Sequence, residues 1–128
     1  MSRLAFMLAA LLLFPVTVLS QKHIERGYRT ILSSDARVFV GMLASDSLQG
    51  REAGEAGGRK AAGYIVSLLE EWGIAPLGDK GYLQPFVVKD CEMNNILAVI
   101  PGKSSEYVVV GAHYDHLGIG LAVDGDSC

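Results

Sequence analysis

The chain has 128 residues, with 11 Lys and Arg against 14 Asp and Glu and a formal net charge of −3, a length that leaves room for one domain with a modest core. Half of its residues are hydrophobic, but the first twenty inflate that share. The mildly acidic balance gives no electrostatic reason to expect nucleic acid as a partner, and metal ligation by Cys91 and Cys128 is unsupported, because neither stands in a CxxC spacing or beside a partner histidine.

At the start, Arg3 precedes an apolar run from Leu4 through Phe14 and on to Leu19. A short positive start, an apolar stretch and small residues near a cut are the three parts of a secretory signal. Val18 and Ser20 then lie three and one residues before the cleaved bond, and Gln21 becomes the new terminus. Pro15 and the shortness of the run argue against a retained anchor. The expectation is a signal peptide over 1–20 and a single mature region over 21–128, secreted or periplasmic, with no stable membrane span after cleavage. Losing Arg3 leaves 10 Lys and Arg against 14 Asp and Glu, a net charge of −4. In an oxidising compartment Cys91 and Cys128 are open to pairing, although the sequence by itself does not show that they approach each other.

The spacing predicts a short helix from Ser34 to Ala44, with Ser34 as N-cap and Val38, Met42 and Leu43 on one packing side. Gln49 to Gly58 sets Gly50, Gly54, Gly57 and Gly58 among charged residues and reads as a flexible surface loop. It is no phosphate-binding loop, because no lysine followed by Ser or Thr closes the glycine pattern. A second helix is expected from Arg59 to Trp72, where Ala61, Ile65, Leu68 and Trp72 form an apolar stripe and Gly73 provides the stop. Glu70 and Glu71 fall at its solvated end and are read as surface charges, not as a catalytic pair.

Three strands are expected next: Tyr82 to Lys89, Asn95 to Ile100, and Tyr107 to Gly111, with Pro101 and Gly102 turning between the last two. The unbroken Val108 to Val110 run predicts a strand covered on both faces, which places the chain in the α/β class with helices packed on a sheet. No internal repeat or low-complexity segment interrupts this order.

Directly after that run come Gly111, Ala112, His113, Tyr114, Asp115, His116, Leu117 and Gly118. Ligands in open α/β sheets bind where strand ends give way to loops, so His113 is placed to point into a crevice. Asp115 can accept a hydrogen bond from the ring nitrogen that faces away from a metal, which fixes the tautomer. Taken by itself the HxDH pattern supplies too few ligands for zinc. His116 reads as a loop residue lining a cleft.

Three segments in order, LQGREAGEAGGRKAAGYIVSLLEEWGI, NNILAVIPGK and VVVGAHYDHLG, resemble the N-terminal half of metallopeptidase family 28, the two-zinc aminopeptidases of the bacterial leucine aminopeptidase type. The likeness runs from about Leu43 to Gly118, most of the mature region. It implies a truncated zinc-exopeptidase-like (phosphorylase/hydrolase-like) fold with a mixed β-sheet, so that residues 21–128 form the N-terminal part of a zinc peptidase domain. It also implies two zinc ions in the complete enzyme, peptide substrates, His113 as a zinc ligand and Asp115 as the residue that orients it. The family's metal-bridging Asp, its Glu-Glu pair, a further Asp and a final His have no counterpart here. Asp124 and Asp126 follow at a suggestive distance, but the segment lacks the family's Ser-Gly helix entry and reads as a turn. The implied chemistry is metal-assisted hydrolysis of N-terminal residues from peptides, with the chain inactive by itself. Two alternatives stay open: a non-catalytic peptide- or protein-binding module of the same fold, and a glutaminyl cyclase or carboxypeptidase relative that shares the metal site.

Overall fold

The computed structural model describes residues 24–120. The expected signal peptide, Cys128 and the Asp124 and Asp126 turn lie outside the described residues, as does the question of whether Cys91 and Cys128 pair. The chain divides into two compact units, Met1–Val40 and Gly41–Cys128. In the first, residues 24–29 are helical and carry an exposed ion pair between Arg29 and Glu25, 2.6 Å apart.

Helix α1 (Ser33–Leu43) falls within a residue of its expected bounds. Ser34 does not cap it, because its hydroxyl bonds the neighbouring Asp35 carboxylate at 3.2 Å. Nor does the expected stripe form a packed face. The helix has no buried residue, and Val38 stands 64% exposed. An apolar stripe records what a helix is able to bury, not what it does bury.

The second unit is organised around the glycine-rich segment, which is not the flexible surface loop expected from its composition. Asp46–Arg51 forms a 3-10 turn broken by left-handed Gln49 (φ 49°) and Gly50 (φ 65°), and Leu48 inside it is only 2% exposed. Helix α2 (Ala56–Glu71) starts three residues earlier than the stripe alone suggests, and takes in Gly57 and Gly58 as buried residues. A methyl group on Gly57 would run into the Leu48 carbonyl, and one on Gly58 into the Glu52 carbonyl. These glycines therefore allow close approach of turn and helix. With Leu48, the fully buried Ala61 and Ala62 (7% exposed) complete the apolar core of the described residues. Burying a leucine side chain contributes about 1.5–3 kcal/mol.

Helix α2 ends as expected. Gly73 takes φ 65°, its N–H donates to the Glu70 carbonyl at 3.0 Å, and the Ile74 N–H donates to the Leu69 carbonyl at 3.0 Å. This pair of bonds is the Schellman closure, which satisfies carbonyls left over at a helix end. Glu70 and Glu71 are exposed, in keeping with surface charges.

Strands β1 (Ala75–Pro76) and β4 (Ala98–Val99) pair antiparallel, and so do β2 (Leu83–Val88) and β3 (Cys91–Ile96). The β2–β3 hairpin turns through Lys89 (φ 49°) and Asp90 (φ 65°), the doubly left-handed geometry that suits the twist of a two-residue hairpin. Gln84 faces Asn95 in this register, and the two side chains bond at 3.0 Å. The architecture is thus broadly α/β, with helices and two small antiparallel sheets. Three expectations need correction. The second expected strand begins at Cys91 instead of Asn95 and breaks at Leu97, whose N–H donates to the Tyr82 carbonyl at 2.8 Å. Tyr107 to Gly111 is not a strand. Val108, Val109 and Val110 are 94%, 88% and 92% exposed, because no described strand supplies the backbone partners that such a run requires. In place of a mixed sheet, the described strands make only antiparallel pairs.

Among the described residues no helix is long and apolar enough to cross a membrane.

Candidate functional site

The segment after the valine run is held by the glycine-rich turn, 63 residues earlier in the chain. Glu52 and His116 form an isolated parallel bridge. The His116 N–H donates to the Arg51 carbonyl at 2.9 Å, and the Gly118 N–H to the Gly50 carbonyl at 3.0 Å. Arg51 adds its side chain: Nε donates to the Tyr114 carbonyl at 2.9 Å, and Nη1 donates to the Leu43 carbonyl. A methyl on Gly50 would strike the Gly118 backbone, and one on Gly118 would strike the Glu52 side chain. Two of the motifs read in the sequence are therefore in direct contact through backbone and glycine.

His113 and Asp115 sit on this tethered segment. Nδ1 of His113 lies 2.9 Å from the backbone carbonyl oxygen of Asp115 and 3.6 Å from its carboxylate Oδ1. A carbonyl can only accept, so the contact requires a proton on Nδ1 and leaves the lone pair of a neutral ring on Nε2. The nearer partner is thus the main chain of Asp115, where the sequence suggested its side chain. The ring itself is open, at 83% side-chain exposure.

Tyr114 points the other way. Its hydroxyl donates to the Asn94 carbonyl at 2.7 Å, which ties the segment to β3. Burial pushes the Tyr114 phenol above its usual 10.0, and the Asp115 charge beside it adds in the same direction.

His113, Tyr114 and Asp115 line one end of a 540 Å³ cleft whose other walls come from α2, the hairpin and Val109–Val110. Ile65, Leu69 and Phe86 make much of it apolar. His116, expected to line a cleft, is absent from these walls and is engaged through its backbone with Arg51.

Zinc implied by the resemblance needs three or more protein ligands. Among the described residues no three of His, Cys, Asp and Glu gather in a way that could hold a metal ion. What they offer is one imidazole with a free Nε2 and a neighbour that orients it, which fits one ligand of a zinc site and not a whole one. Arg51 was not singled out in the sequence; the one available hint was its position between a glycine and an acidic residue in a segment otherwise read as a loop. Comparisons of the chain with family models, with curated proteins and with solved structures find no match.

Proposed function

We propose that this chain is the N-terminal part of an exported zinc-dependent aminopeptidase, in which His113 ligates a zinc ion through Nε2 and Asp115 holds the ring in place. The observation that supports this reading is the 2.9 Å contact between His113 Nδ1 and the Asp115 carbonyl, which commits the proton to Nδ1. Combined with the order of the three sequence segments, it favours a metal-ligating histidine over a surface one. The other ligands and the group that takes a proton from water belong to residues beyond those described. The 128-residue chain therefore binds zinc weakly and hydrolyses nothing.

The test compares this chain with a version extended by the downstream coding sequence. Zinc content after dialysis and turnover of leucyl anilide are measured for both, and for His113→Ala and Asp115→Asn in the extended form. Expected are zinc and turnover in the extended protein only, and near-complete loss on His113→Ala. Removal of a group that orients a ligand costs about 10- to 100-fold. Asp115→Asn should fall at the low end of that span, because the carbonyl that contacts His113 survives the substitution. Tight stoichiometric zinc in the short chain, or full activity of the extended His113→Ala protein, would remove His113 from the site. Turnover of N-terminal glutamine peptides or C-terminal glutamate peptides in place of the anilide would move the chain to a related cyclase or carboxypeptidase. An extended protein with no turnover that holds peptides tightly would be a binding module.

A further inference from the structure

Arg51 stands in a conformation that few residues other than glycine adopt, with φ 51°. It follows Gln49 and Gly50, which are also left-handed. A non-glycine residue keeps such a backbone only where its surroundings over-determine it, and the contacts of Arg51 show what does so. Its carbonyl receives the His116 N–H, its Nε reaches the Tyr114 carbonyl, and its Nη1 reaches the Leu43 carbonyl. The guanidinium is partly buried in doing this. Arg51 thus grips the main chain at Tyr114 and His116, the two residues flanking Asp115. The Asp115 carbonyl lies between these grips, and it is the acceptor for His113 Nδ1.

We infer that Arg51 is the positioning residue of the His113–Asp115 turn: by holding the main chain on both sides of Asp115 it aims the Asp115 carbonyl at Nδ1 and so leaves Nε2 of His113 as the lone-pair nitrogen. This deepens the zinc reading and rests on it for its chemical purpose, while its geometry requires no metal. A planar fork with several fixed donors serves two carbonyls in different directions; a lysine ammonium at the same place is a point charge on a flexible stem and cannot reproduce both.

The experiment uses the full 128-residue chain, isotopically labelled, as wild type, Arg51→Lys and Arg51→Ala. The ring-nitrogen shifts of His113 are read at about pH 8.5, where an ordinary imidazole is neutral, together with hydrogen exchange of the His116 and Gly118 amides. The hairpin amides of β2 and β3 serve as the internal reference for folding. Wild type should show His113 mainly in the Nδ1–H form. Both variants should drift to the tautomer mixture of a free imidazole, and exchange at His116 should quicken by about tenfold or more, while hairpin protection persists. Three results would overturn the inference: a wild-type ring mainly in the Nε2–H form, an Arg51→Lys chain with the wild-type tautomer and exchange, or loss of hairpin protection in Arg51→Lys together with the turn, which would make Arg51 a general fold residue. Zinc ion added to the extended wild-type protein is a separate arm, because the 128-residue chain holds the ion only weakly. A ring that keeps its tautomer there yet gives no Nε2 response to zinc would sink the metal reading and leave the role of Arg51 standing.

Discussion

Tyr114 lies between the two residues on which the site reading depends, and its phenol is the described group whose ionisation the fold most clearly disfavours. Burial first, then the Asp115 charge, raise its pKa above 10.0. The folded chain therefore keeps the proton at a pH where the unfolded chain has lost it. Stability from this group is intact below 10.0 and falls as pH climbs from there toward the raised value. The hydrogen bond to Asn94 is lost with the same ionisation. An alkaline titration followed by phenolate absorbance should show a tyrosine that ionises later than 10.0, and Tyr114→Phe should delete that late phase. The substitution should also cost about 1 kcal/mol, since it leaves the Asn94 carbonyl without its donor. A late phase that survives in Tyr114→Phe would assign the shift to another tyrosine.

Among the elements, α2 contains glycines of opposite kinds. Gly63 has open space around its missing side chain, whereas Gly58 faces the Glu52 carbonyl. Alanine in a helix interior is ordinarily favoured over glycine by about 1 kcal/mol. Gly63→Ala should therefore raise the midpoint of the helical ellipticity melt. Gly58→Ala should lower it, because crowding of about 1–3 kcal/mol outweighs the propensity gain. Equal shifts in the two variants would mean that the turn and the helix do not meet as described. The same glycines show how far the sequence could be read. Local patterns located α1, most of α2, its glycine stop and β2, since these depend on neighbours within a few residues. The contact role of Gly57 and Gly58 depends on where Leu48 and Glu52 return in space, and composition alone made them a loop. That His113 and Asp115 come into contact was legible, since they lie two residues apart. Arg51 was not, because its partners Tyr114 and His116 lie at the far end of the chain. The valine run misled for a related reason: its β-branched, uncharged character measures a capacity for pairing, and no described strand takes that capacity up.

Across the second unit, apolar burial is thin. Leu48, Ala61 and Ala62 are buried, while Phe86, Val87, Val88 and the Val108–Val110 run stay exposed. Unpaired, uncharged β-branched backbone is a template for other chains. The 128-residue chain should accordingly melt over a broad range, bind a hydrophobic dye and self-associate as concentration rises. Val109→Lys should suppress the self-association without altering hairpin exchange, because the side chain is 88% exposed and a charge at an open edge discourages pairing. A sharp monomeric melt, or association that ignores Val109→Lys, would contradict this picture. The 63-residue separation between Arg51 and Tyr114 adds a consequence for the order of events in folding. The hairpin closes through a two-residue turn and α2 through bonds four residues apart, but the bridge between Glu52 and His116 must first close about three-quarters of the second unit into a loop. The entropy of that closure grows with loop length and is met before any contact rewards it. Helix and hairpin should therefore form early, and the turn that carries His113 should assemble last, onto a scaffold already in place.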